Sequence, residues 1–361
     1  MLEQRRLQRL GQSTLTVSLP KAWVEQLNLK KGDVVGITAD EQGRLVIHPS
    51  LQMLPVRSRC VIKADGVDDE LLRRLVLGAY IVGHETIEIR SDGALTASQM
   101  ELARRTVNDL IGVGMVEQGE KRILIQSFLD PSKFPIDGLM MRLHLIVESM
   151  LDLAVRALVE RRSELAKQVV DMDAEADKVY FLATRQLLQA VEDKALAERV
   201  GVADTRNIIG DRMVVKVLEE VGDYAQVIAG SAARINQLGY DDRATGEAIA
   251  GLREQARKTA SLAMLSLSKG DPESANSAIA EYGRLAEMER RTEAELNERL
   301  TPSSAAVAME LKSVTQSIRQ IGRYYMISAE TMINRAVERS TGAVSVVKGS
   351  ESEFIQYMQT S

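Results

Sequence analysis

Between Pro135 and Pro272 the chain contains no proline. Proline removes a backbone donor and clashes with the preceding turn, so a stretch of this length without it is free to form long, unbroken helices. Where proline returns, at Pro272 and Pro302, it follows Asp271 and Thr301. Both are good N-cap residues, and proline at the first helical position loses nothing by lacking an N–H. These prolines therefore open helices. Apolar residues recur at three- and four-residue spacing, as at Leu151, Val155 and Leu158, which is the stripe of a helix with one buried face. The pattern predicts six helices, over about 137–161, 163–192, 204–238, 244–268, 272–300 and 303–339. They divide into two tandem three-helix bundles, residues 137–239 and 244–339.

The division rests on an internal repeat. The run Asp171-Met172-Asp173-Ala174-Glu175-Ala176-Asp177 is echoed by Glu287-Met288-Glu289-Arg290-Arg291-Thr292-Glu293. Each copy is followed by a helical segment with glycine at the matching place, LEEVGDYAQVIA at 218–229 and IRQIGRYYMISA at 318–329. Side chains four apart on a helix lie on one face, about 6 Å apart along the axis. Asp173 and Asp177 meet this condition, as do Glu219 and Asp223. If the two faces meet, four carboxylates converge, and their repulsion calls for a cation. An oxygen-only set suits Mg²⁺, Ca²⁺, Mn²⁺ or iron. The competing reading is a set of ordinary solvated acids. In the second copy Glu289 and Glu293 take the places of Asp173 and Asp177, but Arg319 and Arg323 stand where Glu219 and Asp223 would be. Two guanidinium groups there would neutralise the acids directly. One metal site per chain is expected, with a salt-bridge cluster of Glu289, Glu293, Arg319 and Arg323 replacing the other.

The first 50 residues have a different character. They hold seven Lys or Arg against five acids, while residues 137–361 hold 28 against 34. A small basic head thus precedes an acidic helical body. In the head, Thr14, Thr16 and Ser18 alternate with Leu15, Val17 and Leu19, the period of a strand. Pro20 then opens a short helix, KKGD makes a turn, and Gln42-Gly43 joins two further strands as a hairpin. About fifty residues bury too little surface to be stable alone, so dimerisation is expected. Trp23 is read as a core anchor beneath the short helix.

Residues 56–131 alternate strand-like and helix-like segments in the manner of a small α/β unit. Thr96 with Gln99 marks a capping box. No phosphate loop, metal spacing or nucleophile triad occurs there, and the unit's role stays open between a spacer and a small-ligand sensor. His84 is read as a surface or capping residue. The tail, 340–361, is read as a flexible segment or one that docks on a partner.

The head, through RRLQRLGQSTLTVSLPKAWVEQLNLKKGDVVGI, resembles the AbrB/MazE family of swapped-hairpin domains (SpoVT-AbrB type). The resemblance implies an intertwined dimer that binds DNA, with Arg5, Arg6 and Arg9 on the first strand and Lys21 at the helix start facing phosphates. The body, over 140–338, resembles the PhoU phosphate-uptake regulators, whose two three-helix repeats carry carboxylate motifs that hold metal clusters. Here those motifs fall on Asp173, Asp177, Glu219 and Asp223. The joined chain resembles the AbrB-PhoU regulators typical of archaea. That implies a mainly α multidomain fold and control of phosphate transport by a DNA-binding regulator with a metal-binding sensor body. The alternative is an adaptor that acts on a phosphate ABC transporter or its signalling partner by protein contact, its head only dimerising.

Other classes are disfavoured. Carboxylate di-iron enzymes place Glu-x-x-His pairs on two helices, whereas the only histidine in the body, His144, lies outside the acidic motifs. His48 and His84 are isolated, so no nucleophile or general-base arrangement is visible. The chain is expected not to be an enzyme. A lone Cys60 fits a reducing compartment, and no apolar run reaches the roughly 20 residues of a membrane span. A cytoplasmic homodimer or higher even oligomer, without membrane insertion, is the expectation.

Overall fold

The computed structural model describes residues 4–11, 14–39, 44–49, 58–202, 204–299 and 304–339. The Gln42-Gly43 turn, Thr301-Pro302 and the tail from 340 lie outside them. The chain divides into two units, Met1–Arg57 and Ser58–Ser361.

In the first unit, β1 (Gln8–Leu10) pairs antiparallel with β2 (Thr14–Thr16), and β3 (Gly36–Ala39) with β4 (Leu45–His48). Gly11, at φ +70°, turns the chain after β1, in a region that glycine enters without strain. Helix α1 (Lys21–Gln26) follows Pro20. The KKGD turn is closed by the Lys30 amide donating to Asp33 Oδ2 at 2.7 Å. Strand β1 is shorter than the sequence pattern suggests, so only Arg9 belongs to it, and Arg5 and Arg6 lie on the extended approach. None of the unit's described residues is buried, and Trp23 is only half-buried rather than a core anchor. Leu7, Leu10, Leu15 and Ile37 are each at least 60% exposed. These apolar faces match the deficit anticipated for so short a segment.

The second unit opens with a four-stranded sheet. Strand β5 (Arg59–Lys63) leads through α2 (Asp69–Val82) to the parallel β6 (Thr86–Arg90). Helix α3 (Ala97–Asn108) leads to the hairpin β7 (Val113–Gln118) and β8 (Arg122–Ser127), giving the order β5-β6-β8-β7. The capping box at Thr96 and Gln99 is present. Alternation along the strands sends Ile62, Ile87, Ile89, Ile123 and Ile125 into one core with Leu72, Val76 and Tyr80 of α2 and Ala103 and Val107 of α3. Both helices therefore cover one face, and the other lies open.

The body consists of α4 (Ile136–Val159), α5 (Ser163–Glu192), α7 (Asn207–Gln237), α8 (Arg243–Lys269), α9 (Pro272–Arg299) and α10 (Ala305–Arg339). A short α6 (Lys194–Arg199), capped by Asp193 onto the Leu196 amide at 3.0 Å, was not legible from periodicity. Helices α4, α5 and α7 form one bundle and α8, α9 and α10 the other, with α7 packed along α10 so that a single apolar core runs through both. The matching glycines mark close helix approaches. A Cβ at Gly222 would meet Val147 Cγ1 at 3.3 Å and Asp173 Oδ1 at 3.6 Å, and one at Gly322 would overlap Leu285.

The α/β unit is fastened to α5 chiefly by Arg185, with Gln189 Nε2 also donating to the Gly83 carbonyl at 3.2 Å and Phe181 packing on the unit's core. Arg185 on α5, 3% exposed, donates to the carbonyls of Tyr80, Gly83 at 3.0 Å and His84 at 3.2 Å. It thereby caps the C-terminus of α2 with a positive charge, where the helix dipole favours one. The same guanidinium stacks over Tyr80 at 4.9 Å.

Candidate functional site

Of the first repeat's acids, Glu219 and Asp223 belong to one group of converging ligand atoms among the described residues, while Asp173 and Asp177 act on them from α5 without joining that group. Asp173 and Asp177 on α5 look toward Glu219 and Asp223 on α7 across the gap that Gly222 keeps narrow. Loss of hydration pushes the Asp173 carboxyl up to about 6, with repulsion from Asp177, Asp223 and Glu219 adding to it. Asp177 is also raised, by burial and then by Asp223, while Arg73 of α2 and Lys216 pull the other way. Glu219 and Asp223 are raised by burial too, against the opposing pull of Lys216. All four thus hold negative charge at a cost that a hard cation would relieve.

The sequence missed two members of this face. Glu220 joins Glu219 and Asp223 in a group whose ligand atoms lie within 4.8 Å of one another. It also accepts from Tyr324 of the second repeat at 3.3 Å. Lys216, one turn before, hydrogen-bonds Glu219 and lies 2.8 Å from Glu220. Burial alone would lower its ammonium, but bonds to the two glutamates outweigh that and raise it. Lys216 therefore pairs directly with Glu219 and Glu220 and acts on Asp177 and Asp223 only at longer range. The Glu219-Glu220 tandem and a lysine three residues earlier were the available signals.

The second repeat is built differently. Glu289 is buried at 5% exposure with Arg319 Nε at 3.6 Å, and Thr315 Oγ1 reaches Glu293 at 3.4 Å. Burial raises the Glu289 carboxyl, and Arg319 opposes the rise. Arg323 is exposed and joins no ion pair among the described residues. The expected four-residue cluster is thus one Glu289–Arg319 pair, because Arg323, four residues beyond Arg319, points into solvent. His144 is buried against Tyr325, its Nδ1 2.9 Å from the phenol oxygen, and takes no part in either face. In the head, Arg5, Arg6, Arg9 and Lys21 are all exposed. Lys21, 88% open, makes only a loose pair with Glu25 at 3.6 Å.

The class defined by this architecture is a two-part chain: a strand-rich head without a core of its own and a body of paired three-helix bundles with an acidic face. Residues 8–58 match the family model described as antidote-toxin recognition MazE, bacterial antitoxin. Residues 140–232 match that of the PhoU domain, which takes in α4, α5 and most of α7. The chain therefore carries a MazE/AbrB-like head and a PhoU domain. Among solved structures it is similar to PhoU from Pseudomonas aeruginosa, at 21% identity over 57% of this chain and 96% of that one, with a TM-score of 0.52. PhoU from Streptococcus pneumoniae, a phosphate transport system regulatory protein, gives 12% identity, 58% and 96% coverage, and a TM-score of 0.48. No curated protein matches the chain significantly. No described helix is long and apolar enough to cross a membrane.

Proposed function

We propose that this protein is a phosphate-responsive transcription regulator of the cytoplasm. A dimer of heads holds DNA, and the acidic face of the body, loaded with a divalent or trivalent metal ion, senses phosphate or a signalling partner. The observation that carries the reading is the union in one chain of a MazE-like head and a PhoU domain. Support for DNA contact comes from four exposed cations on a unit that buries none of its described residues. Such a unit needs a second copy to gain a core, and cations on a dimer displace counterions from phosphate in two places at once. Support for a cation in the body comes from the raised carboxyls of Asp173, Asp177, Glu219 and Asp223. When bound, a hard cation supplies counter-charge and a Lewis-acid contact for phosphate oxygens. Asp173, Asp177, Glu219 and Asp223 would hold it, with Glu220 beside Glu219 and Asp223, Lys216 offsetting part of their charge, and Tyr324 tying Glu220 to the second repeat.

Fluorescence anisotropy on duplex DNA from the gene's own upstream region tests the reading, with the full chain compared to a variant carrying Arg6→Ala, Arg9→Ala and Lys21→Ala. Tight binding that weakens steeply with salt and is lost in the variant is the expected result. Absence of binding by the full chain would overturn it and favour a protein adaptor that acts on a phosphate transporter.

A further inference from the structure

The role of the α/β unit is not absorbed by that reading, and its open sheet face carries an arrangement with a cost. Strand registry sets Lys63 opposite Arg90 and Arg90 opposite Arg122, so three cations stand side by side across β5, β6 and β8. Like charges directly opposite on a sheet are destabilising. A carboxylate beneath them relieves part of that cost. Glu88, 0% exposed, accepts from Arg90 Nη2 at 2.6 Å and from Arg59, and lies 3.2 Å from Arg122 Nε. Arg122 reaches a second acid, Glu117, at 3.4 Å.

The guanidinium groups are fixed from below yet open above, with Arg59, Arg90 and Arg122 side chains 48%, 55% and 37% exposed. Lys63 is exposed and joins no ion pair among the described residues. Four cations thus share one sheet face with two carboxylates, its remaining side chains including Val61, Thr86, Leu124 and Gln126. A solvated face would gain nothing from a row of like charges. A buried carboxylate that orients arginines without cancelling them is a way of presenting donors to an external anion.

We infer that the open face of the β5-β6-β8-β7 sheet is a second DNA contact that grips the phosphate backbone of duplex DNA without reading its sequence. The inference rests on the DNA-binding reading of the head. A row of cations spread over three strands favours a polyanion over a single phosphate ion, which could meet only part of it. The aromatic ring beside this face is Phe128, against Gly114 at the β7 side, whereas single-strand platforms stack successive bases on several such rings. Backbone contact by arginine and lysine fits duplex DNA and positions a protein rather than specifying a site.

The test uses the full chain on a random-sequence duplex across a salt series. Lys63→Ala removes a side chain with no ion-pair partner among the described residues, and Lys63→Ala/Arg90→Gln leaves Glu88 held by Arg59 and Arg122. Each lost phosphate contact lowers the slope of log affinity against log salt by about 0.9, equivalent to a loss of roughly eightfold at 0.1 M salt. Counted per chain of the dimer, the single variant is expected to show one such step and the double variant two, with thermal melts unchanged for the single variant. Wild-type binding with affinity and slope unchanged in both variants would overturn the inference and leave the head's role standing. No binding by the wild type would overturn both.

Discussion

Asp173→Asn should stabilise the protein when metal is chelated, although it removes a charged side chain from the proposed metal face. The carboxyl moves from an ordinary value of 3.8 to about 6 on folding. A rise of about two units corresponds to roughly 3 kcal/mol of strain in the ionised form at neutral pH. Asp173 is only half removed from water, so solvent screening reduces that to about 1 kcal/mol. The folded value lies above the unfolded one, the reverse of a salt-bridged aspartate. The stabilising contribution is therefore fully present below about pH 4 and lost as pH rises through about 6. His144, pushed down by burial with Glu148 opposing, gives a slope of the other sign, but it occurs in both proteins and cancels in the difference. Thermal melts in chelator at pH 7.5 and pH 4.5 read the effect. Asparagine should raise Tm by about 2 °C at pH 7.5, for a cooperative unit of this size, and by clearly less near pH 4.5, where only part of the penalty remains. A lower Tm for the variant at pH 7.5, or a gap that does not depend on pH, would refute the reasoning.

Other consequences follow from the same geometry. Metal content should fall to background in Asp173→Asn/Asp177→Asn and hold in Glu289→Gln/Glu293→Gln, since Arg319 already neutralises Glu289; elemental analysis of purified protein decides, and a large drop in the second variant would contradict it. Gly322→Ala should destabilise by about 1–2 kcal/mol because the new methyl overlaps fully buried Leu285, an overpacking cost that exceeds the gain in helix propensity. Gly222→Ala, with its nearest contact at 3.3 Å, should stay within about 1 kcal/mol of wild type by urea denaturation. Arg185→Ala removes three hydrogen bonds to the end of α2 and should cost about 2–4 kcal/mol. Hydrogen exchange should then speed up at Tyr80, Gly83 and His84 while the α7–α10 core stays protected.

Much of the helical body was legible because periodicity, proline placement and caps agree there. The repeat boundaries, the glycine matches and the sharing of one helix face by Asp173 with Asp177 and by Glu219 with Asp223 all follow from helical spacing. What spacing could not supply is which charge meets which. Arg319 and Arg323 are equivalent on a helical wheel, yet only Arg319 reaches a glutamate. The neutralising role of Lys216 and the bridge from Glu220 to Tyr324 depend on how α7 lies against α10, a tertiary fact. The same holds for Glu88, whose place in a strand was read while its burial beneath three arginines depends on the pairing of β5, β6 and β8. In the head, the strand pattern was visible, but Trp23 remains half-buried because too few residues surround it in one copy.

The central claim is that phosphate status governs where this protein sits on DNA. Chromatin immunoprecipitation of the full chain from phosphate-replete and phosphate-starved cells tests it directly. The account predicts enrichment at promoters of phosphate-transport genes that changes between the two conditions and is lost with Arg6→Ala, Arg9→Ala and Lys21→Ala. Equal, promoter-independent recovery in both conditions would contradict it.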